Sequence, residues 1–137
     1  MESEHFDELV REALDSLPED FAVLLDNVQV VVQAWPNEEQ LDSVGLHHPT
    51  HLLGLYEGIP RTRRGTYYGQ VVPDKITIFQ YPIERICRTD EEVREQVRDT
   101  VIHELGHHFG LDEARLRELE RERDRERRAA ATNRPPA

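Results

Sequence analysis

The stretch Thr100–Glu113, T-V-I-H-E-L-G-H-H-F-G-L-D-E, guides the interpretation of the whole chain. It contains the pattern H-E-x-x-H, in which His103 and His107 lie four residues apart and Glu104 stands between them. On a helix, residues with this spacing lie on one face about one turn apart, so the two imidazoles can bind one metal ion. Glu104 then flanks the pair, where its carboxylate can deprotonate a water without coordinating the metal. This arrangement is typical of hydrolytic zinc sites.

The residues after His107 offer candidates for a third metal ligand. Gly110 can adopt the left-handed backbone conformation that ends a helix, so the chain can turn back toward the imidazoles. Glu113 stands at the third-ligand position of the longer pattern H-E-x-x-H-x-x-G-x-x-H, and zinc accepts a carboxylate oxygen there. Asp112, one residue short of that spacing, ranks second. If the ligand comes from a following helix, the candidates are Glu118, Glu120 and Glu122.

Hydrophobic patterning predicts both helices and strands. Helical spacing of apolar residues predicts an amphipathic helix over Glu4–Leu17, and Thr89 with Glu92 forms a capping box that predicts the start of the H-E-x-x-H helix. An apolar stripe on that helix lies nearly opposite the two histidines, so one side seals the core and the other presents ligands. Valine-rich or alternating segments predict three strands: Val28–Trp35, Leu52–Ile59 and Asp74–Ile83. In the last, Pro82 permits an edge position or a strand end, and a substrate strand could add to the sheet edge that contains Asp74–Tyr81.

Composition and charge narrow the class of protein. The chain has 137 residues, a net charge of -11 and one cysteine, Cys87, which we expect to be a small core residue. The acidity argues against a nucleic-acid partner, because phosphate binding needs a concentrated basic face. The first residues lack the pattern of a secretory signal, and no apolar window approaches about eighteen residues. We therefore expect a cytoplasmic protein with no membrane span.

Two further clusters have alternative interpretations. The segment G-L-H-H-P-T-H places three histidines before the second strand; because Pro49 breaks the spacing and no carboxylate lies among them, a polar lead into the strand is favoured over a metal site. The segment Pro60–Gly69 concentrates arginines and tyrosines, which could bind substrate or form a hairpin tip. Its basic and aromatic residues are Arg61, Arg63, Arg64, Tyr67 and Tyr68.

The motif, the strand P-D-K-I-T-I-F-Q-Y-P-I-E-R and the segment L-L-G-L-Y-E-G-I-P together resemble the small bacterial minimal zincins, over roughly Phe6–Leu119. The resemblance implies a zincin-like α+β fold, with a short mixed sheet packed on the H-E-x-x-H helix and helices at both termini. It implies one Zn²⁺ per chain, bound by His103, His107 and a third acidic ligand matching Glu113, with Glu104 as general base. Residues 1–119 would form the metallopeptidase domain, and residues 120–137 a charged helical extension with a disordered tail.

One departure from metzincins is clear: the only methionine is Met1, so no Met-turn can lie beneath the site, and the third histidine is absent. The leading hypothesis is a zinc-dependent metallopeptidase acting on a peptide or protein substrate. Two alternatives remain: a non-catalytic, metal-stabilised or protein-binding module of the same fold, and a metal-dependent endoribonuclease. The endoribonuclease pattern shares the first two histidines, but its third is missing here and the chain is acidic.

Overall fold

The computed structural model describes residues 2–58, 73–110 and 113–132, with positions 113, 116, 120, 123, 127 and 130–132 described by their backbone only. Its strands form a three-stranded sheet in the order β1-β3-β2: β1 (Val28–Gln33), β2 (Gly54–Glu57) and β3 (Asp74–Phe79). β1 runs parallel to β3, and β2 runs antiparallel to it. The predicted short mixed sheet and α+β class are confirmed.

Six α-helices surround this sheet in the described part of the chain. Their bounds are α1 (Ser3–Asp15), α2 (Glu19–Leu24), α3 (Glu38–Ser43), α4 (Gln80–Ile86), α5 (Asp90–Phe109) and α6 (Glu113–Thr132). Short 3₁₀ turns occupy Leu25–Asn27 and Pro49–His51. None of these helices is long and apolar enough to cross a membrane.

The termini of α5, the helix that carries H-E-x-x-H, form as predicted. At its start, the Thr89 side chain accepts a hydrogen bond from the Glu92 amide, and the Glu92 carboxylate accepts one from the Thr89 amide. This reciprocal capping satisfies amides that the first helical turn leaves free. At its end, Gly110 adopts the left-handed conformation with φ 61° and ψ 38°. A residue with a side chain would be strained there, so glycine ends the helix cleanly.

The main core lies between one face of the sheet and the helices α1 and α5. The predicted apolar stripe of α5 is buried, and α1 contributes a matching face spaced at helical intervals. The buried residues of these two helices are Phe6, Leu9, Val10, Ala13, Val93, Val97, Val101, Ile102 and Leu105. Cys87 is half-buried and packs against this core, and burial raises the pKa of its thiol, so it remains a neutral packing group.

A second, smaller core lies on the other face of the sheet. It consists of Leu41, Leu52, Leu55 and Phe79, with Leu46 packed against it. Side chains alternate between the faces of a strand, so Leu55 points to this core while its neighbours Gly54 and Tyr56 face α5. The sheet is therefore covered on both faces.

Two predictions about the strands are wrong. β3 ends at Phe79, and residues Gln80–Ile83 form the start of α4. Pro82 lies in the first turn of this helix, where main-chain amides have no partner within the helix, so its missing N–H costs no hydrogen bond. β3 is also the central strand instead of an edge strand. Ile76–Phe79 are all buried, so the apparent alternation did not mark a half-exposed strand. β1 and β2 are shorter than predicted; Ile59, the predicted end of the second strand, lies outside the described residues.

Gly54 permits β2 to lie close against α5. A Cβ atom at this position would lie 2.5 Å from Thr100 Cγ2 and 3.3 Å from the Thr77 carbonyl oxygen. Thr100 is buried on α5, and its hydroxyl donates to the Gln96 carbonyl at 2.8 Å, which holds the methyl in place. A larger residue at position 54 would therefore push β2 away from α5.

We expect Gly54→Ala to lower the free energy of unfolding by about 1–3 kcal/mol, the usual cost of overpacking a core. Thr100→Ser removes the clashing methyl but keeps the hydroxyl, so the cost of Gly54→Ala should be smaller in a Thr100→Ser background. Urea unfolding of the four proteins of this double-mutant cycle measures the difference. An equal cost in both backgrounds would contradict the close contact.

The start of α6 is joined to α2 by an ion pair. The Arg115 guanidinium donates to both carboxylate oxygens of Asp20, at 3.0 and 3.3 Å. This hydrogen-bonded guanidinium lowers the pKa of the Asp20 carboxyl. Further along α6, Leu119 is buried in the main core. These two contacts fix the helix whose first residue is Glu113.

Because the folded-state pKa of Asp20 is lowered, the pair contributes stability above the unfolded-state pKa of about 3.9, and this is lost as the pH falls through the folded-state pKa. Both side chains are partly exposed, so we expect only about 0.2–1 kcal/mol at neutral pH. A cycle of Asp20→Asn and Arg115→Gln, measured by urea unfolding at neutral and acidic pH, tests this. A coupling energy that is larger at acidic pH than at neutral pH would contradict the prediction.

Candidate active site

The two histidines of the motif lie on the exposed side of α5. Their ring centroids are 6.3 Å apart and the rings are inclined by 23°. Two imidazoles that share one tetrahedral zinc through bonds of about 2.1 Å have centroids roughly 5 Å apart, so binding needs only a small rotation of an exposed ring. The structure therefore brings His103 and His107 together on one helix face, as predicted.

Glu104 lies beside this pair but is half-buried against β2. Its Oε2 atom accepts a hydrogen bond from the Tyr56 main-chain amide at 3.2 Å. Burial raises the pKa of the Glu104 carboxyl above its usual value, and the Tyr56 amide and the two imidazoles act in the opposite direction. The result is a carboxylate with one fixed oxygen and a greater affinity for a proton than an exposed glutamate has.

The register of the sheet explains why the Tyr56 amide is available to Glu104. The Phe79 amide donates to the Leu53 carbonyl, and in an antiparallel pair such hydrogen-bonded positions alternate along the strand. Leu53 and Leu55 therefore direct their main-chain groups toward β3, whereas those of Tyr56 point to the outer edge. β2 is an edge strand of the described sheet, and α5 brings Glu104 to that edge.

The ring of Tyr56 fixes β2 to the last turn of α5 and to β3. It stacks on His108 with ring centroids 3.8 Å apart, and its hydroxyl donates to Asp74 Oδ2 at 2.6 Å. His108 Nε2 lies 3.7 Å from the same oxygen, and Phe109 packs edge-on against both rings. His108 thus packs within this group of side chains, although its ring remains partly exposed. The cluster of Tyr56, Asp74 and His108 therefore fixes the position of β2, the strand whose Tyr56 amide binds Glu104.

The donors present suit zinc: two exposed imidazoles on one helix face and a carboxylate fixed at their flank. Among the described side chains, no group of three His, Cys, Asp or Glu residues is close enough to hold a metal ion. Neither predicted third ligand can be examined there, because Asp112 is outside the described residues and Glu113 is described by its backbone alone. Both carboxylates remain predictions. The backbone places Glu113 at the first position of α6, three residues after Gly110 in the sequence.

The other sequence candidates have different outcomes. Glu118 lies 3.6 Å from Arg115 and is exposed, and Glu122 is partly buried. The side chain of Glu120 is not described. The arginine and tyrosine cluster of Pro60–Gly69 lies outside the described residues. Sequence analysis did not identify Tyr56 or Asp74, whose partners are distant in the chain. An aspartate at the first position of a predicted strand was the one local signal.

Comparison with known proteins agrees with this geometry. The model of the zincin-like metallopeptidase family matches residues 25–123, which include all three strands, α5 and the start of α6. A search of curated proteins gave no match. The matched region covers most of the chain and contains the two imidazoles and Glu104. This chain therefore belongs to the zincin-like metallopeptidase family.

Proposed function

We propose that this protein hydrolyses peptide bonds with one zinc ion per chain, held by His103, His107 and Glu113. The observation that carries the proposal is the hydrogen bond between the Tyr56 amide and Glu104, which fixes a half-buried carboxylate beside two exposed imidazoles. Surface histidines on a charged helix would not require a carboxylate anchored to the neighbouring strand. The arrangement matches what water activation by a hydrolytic zinc site needs.

The bound zinc would supply Lewis-acid activation of a water and of the peptide carbonyl. Glu104 acts as the general base. Its Oε2 is fixed by the Tyr56 amide, so Oε1 takes the proton from the attacking water and later passes it to the leaving amine. Burial of Glu104 raises its pKa, which makes it a stronger base than an exposed glutamate.

The exposed edge of β2 suits an extended peptide as substrate. The main-chain groups of Gly54 point away from β3, on the strand whose Tyr56 amide already donates to Glu104, and an added strand can pair with such an edge. The sequence suggested the strand beginning at Asp74 for this role, but that strand is central and its edges are occupied. We infer a peptide or protein substrate instead of a nucleic acid because of the net charge of -11. We further propose that the protein acts in the cytoplasm.

Glu104→Gln should lower kcat by about 10²–10⁴-fold, the usual contribution of a general base, and leave the zinc content unchanged. Glutamine retains an oxygen that can accept from the Tyr56 amide, so the local geometry should persist. Glu91→Gln, in the exposed first turn of α5, is the matched control and should retain activity. The measurements are peptide-library cleavage and elemental analysis of protein purified without a metal-affinity tag.

The outcomes separate the alternatives. His103→Ala should lose zinc as well as activity, and equal zinc in His103→Ala and wild type would reject the site. Retained turnover in Glu104→Gln would remove Glu104 from its role. Zinc bound by the wild type without cleavage of any peptide would favour the non-catalytic module.

Tyr56→Phe removes the hydroxyl that donates to Asp74 but keeps the ring and the main-chain amide. We expect the free energy of unfolding to fall by about 1.5–3 kcal/mol, because the lost hydrogen bond involves a charged acceptor. We expect kcat to fall by up to roughly 100-fold, because β2 positions Glu104 and small displacements are costly. Tyr81→Phe is the control, since Tyr81 is an exposed residue stacked on Trp35. Unchanged kcat in Tyr56→Phe would show that the cluster does not position the base.

A further inference from the structure

A pair of exposed histidines lies away from the candidate active site, at the 3₁₀ turn Pro49–His51. The ring centroids of His48 and His51 are 5.5 Å apart, with the rings inclined by 48°. This separation is shorter than the 6.3 Å between His103 and His107. It is also close to the roughly 5 Å expected for two imidazoles on one tetrahedral metal ion.

The backbone fixes this pair before any ligand binds. The His51 amide donates to the His48 carbonyl at 3.1 Å, and Pro49 restricts the backbone at the first position of the turn. In a 3₁₀ turn, side chains three residues apart lie nearly above one another, so the two rings face the same side. The sequence argument that Pro49 breaks the ligand spacing is thereby reversed, because the proline helps to create the turn that pairs the rings.

Apolar side chains anchor both ends of the turn. Leu46 and Leu52 pack into the second core with Leu41, Leu55 and Phe79. That core lies on the sheet face opposite α5, so the histidine pair is separate from the His103–His107 pair. An anchored turn loses little conformational freedom when its side chains bind a ligand, which favours binding.

We propose that His48 and His51 form a second metal site, selective for transition-metal ions that prefer imidazole. Two imidazoles with water in the remaining positions suit Cu²⁺, Ni²⁺ and Zn²⁺, whereas Ca²⁺ and Mg²⁺ require oxygen ligands. No group of three potential ligands occurs among the described side chains, so the site is open and exchanges its ion readily. It binds Cu²⁺ more tightly than Zn²⁺, following the general order of divalent affinities.

The test uses the full chain with His103→Ala and His107→Ala, which removes the proposed catalytic pair. Isothermal titration with CuSO₄ and with ZnCl₂ at neutral pH should give one saturable site per chain, tighter for Cu²⁺. Adding His48→Ala or His51→Ala should weaken the Kd for each ion by more than about tenfold, at least the loss seen when a supporting residue is removed. His5→Ala is the matched control; His5 is exposed but bonds to Asp90 at 2.9 Å, and its loss should change nothing.

Titration of the otherwise wild-type protein provides a second measurement if the background variant does not fold. There, the His48–His51 site should appear as an additional Cu²⁺ equivalent that His48→Ala and His51→Ala each remove. Absence of saturable binding, or equal affinity with and without the two histidines, would overturn the proposal. Neither result depends on whether the protein cleaves peptides, because binding is measured directly.

Discussion

The hydrogen bond between the Tyr56 amide and Glu104 is the interaction on which the candidate site depends. It joins an edge strand to the helix that carries the two histidines, and it leaves one carboxylate oxygen for chemistry. The bond can form only because Gly54 lets the strand approach Thr100 closely. The Asp74 and His108 contacts of the tyrosine ring then keep the strand at this distance. The absence of a side chain at Gly54 thus helps to determine how the Glu104 carboxylate is oriented.

Much of α5 could be predicted from the sequence because its determinants are local. The capping box at Thr89, the left-handed end at Gly110 and the apolar stripe beginning at Val93 each depend on residues within one or two helical turns. The same holds for the face shared by His103 and His107. Short-range sequence patterns were therefore enough to predict where α5 begins and ends and which of its faces carries the histidines.

The rest of the site depends on contacts between distant parts of the chain. Tyr56 and Glu104 are 48 residues apart, and Tyr56 and Asp74 are 18 apart, so no periodicity connects them. The position of β3 was misjudged for a similar reason. Its alternation and Pro82 suggested an exposed edge, yet β1 and β2 pair with both of its edges and the two cores bury both of its faces. The order of strands in a sheet is decided by tertiary packing, so it cannot be predicted from the sequence of one strand.

The parallel pairing of β1 with β3 has a consequence for biosynthesis. A newly made chain must extend through β3 before β1 has a partner, and through α5 before β2 can anchor Glu104. An isolated α5 segment would carry the imidazoles but could not orient its carboxylate. The contact between Tyr56 and Glu104 can therefore form only after α5 has been synthesised, so an incomplete chain on the ribosome would lack an oriented Glu104 carboxylate.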